Sequence, residues 1–446
     1  MPADDAPPAR NTSPKRRRTT RDESPAPGQS APQVGSVGSI LTLTEGTTFS
    51  APRTPKRASS PIRELTQLCT ARPPILQDAL AMPTHALSPH VNTRLQALRK
   101  RTRQHNMEGY IPRCLKDALG GELAFATALQ AEPIDDEAYD DGVDSTREDI
   151  ADIVERVKAV FQGTELCQKG GKDENGWCLD VVGPLLELAM VLYGHGRFRR
   201  EIVQSQSIQP AYLSLVLNHS SDPPRERPLF RKTDFCFSYS HLSPQYATLY
   251  ERLRNTLVAH TTDNFTQRAA LFSGVEVKPA GGSLAEAQLQ LSIWMAASLR
   301  KKAELFRNTF GHESCLDTPA PDPAPAIDEG VDVASTRAST SSPHCPQRDA
   351  LIEPAVTIIG AEHKLYYALV SGLSDPADPK GCTVSVLGPD RNLAGLSTES
   401  ISGIFRLARV YGNIFQYGFD EDPKHGYWGA FLGPLLEEVA RASNGG

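Results

Sequence analysis

The stretch Val275-Glu276-Val277-Lys278 constrains this chain more than any other. Its β-branched apolar positions call for a strand. Strand side chains alternate, so Glu276 and Lys278 share one face while Val275 and Val277 pack on the other. The loop Pro279-Ala280-Gly281-Gly282 follows, and Ser283-Leu284-Ala285-Glu286 is a capping box that opens a helix. A strand passing directly into a helix points to helices layered on a sheet. A carboxylate beside an ammonium at a strand end is also what metal-assisted phosphodiester cleavage needs. Glu-x-Lys alone is common on solvated strands, as an ion pair of about 0–1 kcal/mol, so the neighbours must supply its meaning.

Upstream, residues 232–239 read as a strand with Phe235, Phe237 and Tyr239 on one face and Asp234, Cys236 and Ser238 on the other. Helices are expected over 91–103, from the Ser145-Thr146-Arg147-Glu148 capping box to Phe161, over 177–193 with Pro184 as an awkward guest, and over 244–258. A strand near 202–205, a hairpin of 355–360 with 364–370, and a strand over 383–387 follow the same logic, and helices near 399–416 and 428–442 close the chain. No internal repeat is evident. The order of elements gives an α/β (α+β) fold, a mixed central sheet flanked by helices.

The 35 prolines and a hydrophobic share of 39% argue that part of the chain stays outside this fold. Residues 1–95, rich in Pro, Ser, Thr, Ala and Arg, are expected to form a disordered basic tail, and 313–348 a disordered insertion. The folded domain is then 96–446, with a helical N-terminal extension and a core of about 165–420. Within the tail, Lys15, Arg16, Arg17 and Arg18 form a cluster of nuclear-localisation type, so the nucleus is the expected compartment and the cytoplasm the alternative. The apolar patch over 62–76 is a candidate docking segment.

The net charge of -6 does not mark the whole chain as a nucleic-acid binder, and the first 60 residues hold a basic excess that leaves the rest acidic. Phosphate contact would draw on local cations such as Arg197, Arg199, Arg200, Arg231 and Lys232. The acidic loop 135–144 fails as a calcium loop, because aligning Gly142 with the EF-hand glycine puts Glu137 and Tyr139 at ligand positions. Eight cysteines show neither a CxxC pair nor metal-ligand spacing with histidine. No uninterrupted apolar run reaches the roughly 18 residues of a membrane helix, so no membrane partner is expected. No Gly-rich phosphate loop follows a strand, which excludes Rossmann and kinase readings.

Asp234, Glu276-Val277-Lys278 and a capped helix bearing Gln290 and Trp294 occur in an order that resembles the PD-(D/E)XK nuclease superfamily, the restriction-endonuclease-like fold. More narrowly, the chain looks like the nuclease-like domain family found in many fungal proteins. The match is carried by Trp177 with Val181 and Pro184-Leu185-Leu186, Thr233-Asp234-Phe235, Glu286-Ala287 with Gln290-Leu291, Ile358-Ile359-Gly360 with Leu365-Tyr366, and Gly403-Ile404-Phe405-Arg406-Leu407 through Tyr411. It departs at Cys178 and Val182, where polar residues are expected, and no proline precedes Asp234.

The resemblance implies metal-dependent hydrolysis of phosphodiester bonds in nucleic acid, with DNA as the expected substrate. Asp234 and Glu276 would hold Mg²⁺ or Mn²⁺, Lys278 would orient water or stabilise the developing charge, and Gln290 would steady the site. Glu174 or Glu187 would add a carboxylate. Sharing one ion at ligand bonds of ~2.1 Å requires the carboxylate oxygens of Asp234 and Glu276 to lie within roughly 7 Å. The alternative is an inactive nuclease-fold scaffold that binds nucleic acid or protein. Oligomeric state is not encoded in any of these features.

Overall fold

The computed structural model describes residues 60–142, 147–218, 223, 225–254, 256–310, 346–373 and 381–444. The basic cluster at 15–18 and most of the expected insertion lie outside the described residues. Helix α1 (Pro61–Gln67) and strand β1 (Ile75–Asp78) precede α2 (Pro89–Thr102). The short elements β2 (Ile111–Pro112), α3 (Lys116–Gly121), α4 (Ala126–Ala131) and β3 (Tyr139–Asp140) lead to α5 (Arg147–Gly170). Next come α6 (Glu174–Trp177), α7 (Gly183–Tyr193), β4 (Phe198–Ile202), the hairpin β5 (Leu215–Asn218) and β6 (Arg225–Pro228), and β7 (Phe235–Tyr239). The second half runs α8 (Pro244–Leu253), β8 (Leu271–Lys278), α9 (Leu284–Phe310), β9 (Ile352–Ile359), β10 (Glu362–Leu373), β11 (Cys382–Leu387), α10 (Ile401–Phe419) and α11 (Gly433–Asn444).

Seven strands form one sheet in the order β1-β11-β10-β9-β8-β7-β4. The pairs β1/β11 and β8/β9 are parallel and the other neighbours antiparallel. Helix α9 packs on β8 and β9, while Phe237 of β7 and Phe198 of β4 meet Phe415 of α10. This is a restriction-endonuclease-like α/β fold with a mixed central sheet between helices. With helices on both sides, β7 and β8 are buried at every position. The strand expected over 232–239 begins at Phe235, so Asp234 stands just before it, and Cys236 and Ser238 are buried like the aromatic positions.

The expected tail boundary at residue 95 needs correction, since residues 60–95 belong to the fold. Strand β1 adds a parallel edge, with Ile75 opposite Val384 and Leu76 opposite Ser385. The buried Arg300 of α9 donates to the carbonyls of Pro73 and Pro74, which flank that strand. Proline density suggested disorder because the partners that hold this stretch lie hundreds of residues away in sequence. The patch over 62–76 docks on its own sheet. Two other boundaries also shift: the strand expected at 202–205 lies at Phe198–Ile202, and the helix expected to reach 258 ends at Leu253.

Pro184 is accommodated by a π turn, Cys178–Val182, between α6 and α7. A wider turn relieves the clash of the proline ring with the preceding carbonyls and tolerates its missing N–H. The same solution recurs at Trp428–Leu432, ahead of Gly433 and Pro434. Both belong to a repeated local pattern not recognised in the sequence: Gly176-Trp177 then Gly183-Pro184-Leu185-Leu186-Glu187, and Gly426-Tyr427 then Gly433-Pro434-Leu435-Leu436-Glu437. A Cβ at Gly183 or Gly433 would lie 3.0 Å from the carbonyl oxygen of Cys178 or Trp428, which explains the glycine in each copy. The stretch Glu174–Tyr193 is long and apolar enough to cross a membrane by composition, but it is a core element here, with Trp177, Val181, Leu185 and Leu188 fully buried.

Strand β8 is bulged at Ser273, whose φ of 62° is positive, and the β7 pairing shifts register there. Phe272, before the bulge, stacks among Phe198 and Tyr427, whereas Gly274, after it, faces Met295 and Trp294 of α9. Alternation from Gly274 then carries Glu276 and Lys278 to the α9 side. Glu353 holds the bulge, accepting from the Ser273 N–H at 3.0 Å, while the Ser273 hydroxyl donates to the Pro354 carbonyl at 2.7 Å. Lys302 and Tyr427 both donate to the same carboxylate, and Lys302 also reaches the Leu271 carbonyl at 2.7 Å. Replacing Glu353 with alanine would strand a buried ammonium and release the bulge. A loss of about 3–5 kcal/mol is expected in urea denaturation. The pair Glu353→Leu/Lys302→Met should recover part of it, and additive losses in that double variant would show the two residues to be uncoupled.

Candidate metal centre

The sheet edge at the end of β8 collects side chains from four separate segments. Glu276 and Lys278 come from β8, Asp234 from the start of β7, Glu174 from the first turn of α6, and Gln290 from α9. Asp234 is fixed on both oxygens: Oδ2 accepts the Val277 N–H at 2.7 Å and Oδ1 accepts from Gln204 at 2.7 Å. Its own N–H donates to the Val275 carbonyl, so Asp234 extends the β7–β8 ladder by one residue beyond the strand. Glu174 is placed by a helix start that Asp173 caps, its carboxylate accepting the Gly176 N–H at 3.0 Å.

Ligand oxygens of Glu174, Asp234 and Glu276 lie within 4.8 Å of one another. That is inside the limit for sharing an ion, and the donor set is all carboxylate oxygen, as hard divalent cations prefer. Lys278 Nζ sits 2.7 Å from Glu276 Oε1 and 2.7 Å from Glu174 Oε2. Three carboxylates against one ammonium leave two negative charges uncompensated, the charge of one divalent ion. Glu276 is fully buried, and among the described residues its Oε2 has no donor within hydrogen-bond geometry, although the Thr233 hydroxyl lies near enough to favour the carboxylate. A buried carboxylate oxygen without a donor is costly, and a cation at this point would satisfy it. The residues fit a divalent metal.

Burial pushes the Glu276 carboxyl well above the usual range, and the nearby Asp234 carboxylate adds to the shift. Asp234 is raised as well, by burial first, although its bonds from Gln204 and Val277 counteract that. Burial works against the Lys278 ammonium, but Glu276 and Glu174 overcome it and hold the lysine above its ordinary value. For the cluster as a whole, the proton stays on the lysine and the carboxyls resist full ionisation. The Cys178 thiol, hydrogen-bonded by Gln204 at 3.4 Å, is also pushed up, chiefly by burial, and stays a neutral wall of the site.

The structure thus brings together Asp234, Glu276, Lys278 and Glu174. Glu187 is not among them: it lies in α7, thirteen residues and roughly 20 Å of helical rise beyond Glu174, and it accepts from Arg200 of β4 at 3.1 Å. Gln290 lines the same cleft but bonds neither a carboxylate nor Lys278. Its amide donates to the Lys232 carbonyl at 3.1 Å, and its Oε1 is buried without a partner among the described residues. Gln204 was missed in the sequence; a lone glutamine after a strand carries no signal until Asp234 is beside it.

A carboxyl with a raised folded pKa keeps its proton to higher pH than it does unfolded. Folding stability without metal should therefore fall as pH rises from the ordinary carboxyl range through the raised value. Because metal competes with that proton, divalent-ion affinity should rise over the same interval, with proton release visible by calorimetry in buffers of different ionisation enthalpy. Glu276→Gln should raise the melting temperature in EDTA by a few degrees, consistent with ~1–2 kcal/mol of relieved repulsion, and remove stabilisation by added metal. Unchanged metal stabilisation in that variant would place the ion elsewhere.

No curated protein and no solved structure matches the chain. A family model does match, over residues 124–421, well over half of the sequence and inclusive of every residue of this cluster. With the strand order and the position of the acidic group at the end of β8, that match assigns the chain to the PD-(D/E)XK nuclease superfamily.

Proposed function

We propose that the chain is a divalent-metal-dependent hydrolase of phosphodiester bonds in nucleic acid, with DNA as the favoured substrate. The observation that carries this reading is the convergence of Glu174, Asp234 and Glu276 within 4.8 Å, with Lys278 against two of them. Glu276 and Asp234, with Glu174 as the third carboxylate, would hold Mg²⁺ or Mn²⁺. When bound, such an ion supplies Lewis acidity toward the phosphoryl oxygen and a water of lowered pKa.

The remaining chemistry belongs to the chain's own groups. Gln204 and the Val277 N–H fix Asp234 so that its carboxylate does not reorient. Lys278 is held protonated by its two carboxylates, so it acts as a cation and hydrogen-bond donor rather than as a base. Its place is against charge developing on the phosphate or against the attacking water, a role worth about 3 kcal/mol when preorganised. The buried Cys178, bonded by Gln204, keeps bulk water from one side of the site.

Purified protein with Mg²⁺ or Mn²⁺ should cleave DNA. Glu276→Ala and Lys278→Ala should each lower the rate by at least about 100-fold. Equal activity in both variants would trace the cleavage to a contaminant. Binding to DNA without turnover under any divalent ion would replace this reading with the inactive-scaffold alternative.

A further inference from the structure

The cleft of about 390 Å³ at the metal centre has both acidic and basic lining. Glu174 and Asp234 supply the acidic part, and Arg231 and Lys232 the basic part, beside Phe230. Of the local cations in the sequence, Arg199 does not line the cleft, Arg200 pairs with Glu187, and Arg197 stacks over Phe419 at 4.6 Å. Arg231, together with Arg227 at 3.0 Å, is engaged by the buried Glu64 of α1. Lys232 differs. Its Nζ donates to a carbonyl, that of Ser205 at 2.9 Å, and among the described residues no ion pair engages it. Its backbone is pinned to α9, because its carbonyl accepts from Gln290, and it stands two residues before Asp234 on the same extended segment. The Lys232 Nζ also lies over the Phe230 ring, 6.0 Å from its centroid.

A partly exposed ammonium that lines the same cleft two residues from Asp234 is arranged for an anion that extends beyond the carboxylates. A lone phosphate held at the carboxylates needs no second cation there, whereas a polymer carries a further phosphate beside the one being cleaved. We propose that Lys232 anchors the neighbouring phosphate of a nucleic-acid strand whose scissile bond lies at Glu174, Asp234 and Glu276. The proposal rests on the hydrolase reading for the location of the scissile bond, but its binding consequence can be read without turnover.

The test is binding of the full chain to a labelled DNA oligonucleotide, single-stranded and duplex, across a salt series with Ca²⁺ added to neutralise the carboxylates. Lys232→Gln should weaken binding several-fold and make the slope of log K against log salt shallower by about 0.7–0.9. Lys232→Arg should restore the slope, and Lys424→Gln, at an exposed loop position after α10, should match wild type. In cleavage assays Lys232→Gln should raise KM while leaving kcat within about twofold. A Lys232→Gln slope equal to wild type overturns the anchor, and persistent cleavage in that case leaves the hydrolase reading standing. Lys232-dependent binding in a chain that cleaves under no divalent ion supports the anchor and removes the hydrolase.

Discussion

The phase of β8 is the constraint on which the site depends. A strand buried on both faces has no surface register to guide it, and one residue of slip would send Glu276 and Lys278 to the opposite side of the sheet. The bulge at Ser273 fixes that phase, in a backbone conformation a non-glycine residue adopts at a cost of about 1–2 kcal/mol. Glu353 holds the bulge and Lys302 neutralises Glu353, so a buried ion pair in the middle of the sheet determines where a second charged group emerges at its edge.

The two buried clusters on β8 solve opposite problems. Around Glu353, an ammonium, a phenol and a backbone N–H satisfy the carboxylate, and the result is a rigid joint. Around Glu276, one lysine serves two carboxylates while Asp234 stands close by, leaving an excess of negative charge and, among the described residues, an oxygen without a donor in hydrogen-bond geometry. A fully satisfied network specifies structure, whereas an incompletely compensated one stores free energy that an incoming cation releases. The second arrangement is therefore the one with a functional reading.

The fold was legible where periodicity and local chemistry agree. The capping box at Ser283 opens α9, with the Glu286 N–H donating to the serine hydroxyl at 3.3 Å. The hairpin of β9 and β10 and helix α10 also follow from apolar runs and alternation. Sequence failed where a remote partner decides. Strand β1 was lost to a proline-rich background because its ladder is completed by β11, and alternation could not show that both faces of β7 are buried, because helices cover both sides of the sheet. Glu187 was offered beside Glu174 as a further carboxylate, but it lies thirteen residues on, roughly 20 Å along a helix axis, and it pairs with Arg200 of β4 instead.

The sequence by itself determined that Glu276 and Lys278 would share a face of one strand, since alternation over two residues needs no tertiary information. It also determined the order of Asp234, the acid–base pair and the capped helix, from which the superfamily resemblance follows. Only the tertiary structure decided that Glu174 joins them, that Gln204 fixes Asp234, and that Lys232 faces the same cleft. These contacts join residues far apart in the chain or in segments without a local pattern. Their energetics come from burial and uncompensated charge, which exist only once the sheet is assembled and water has been excluded from its edge.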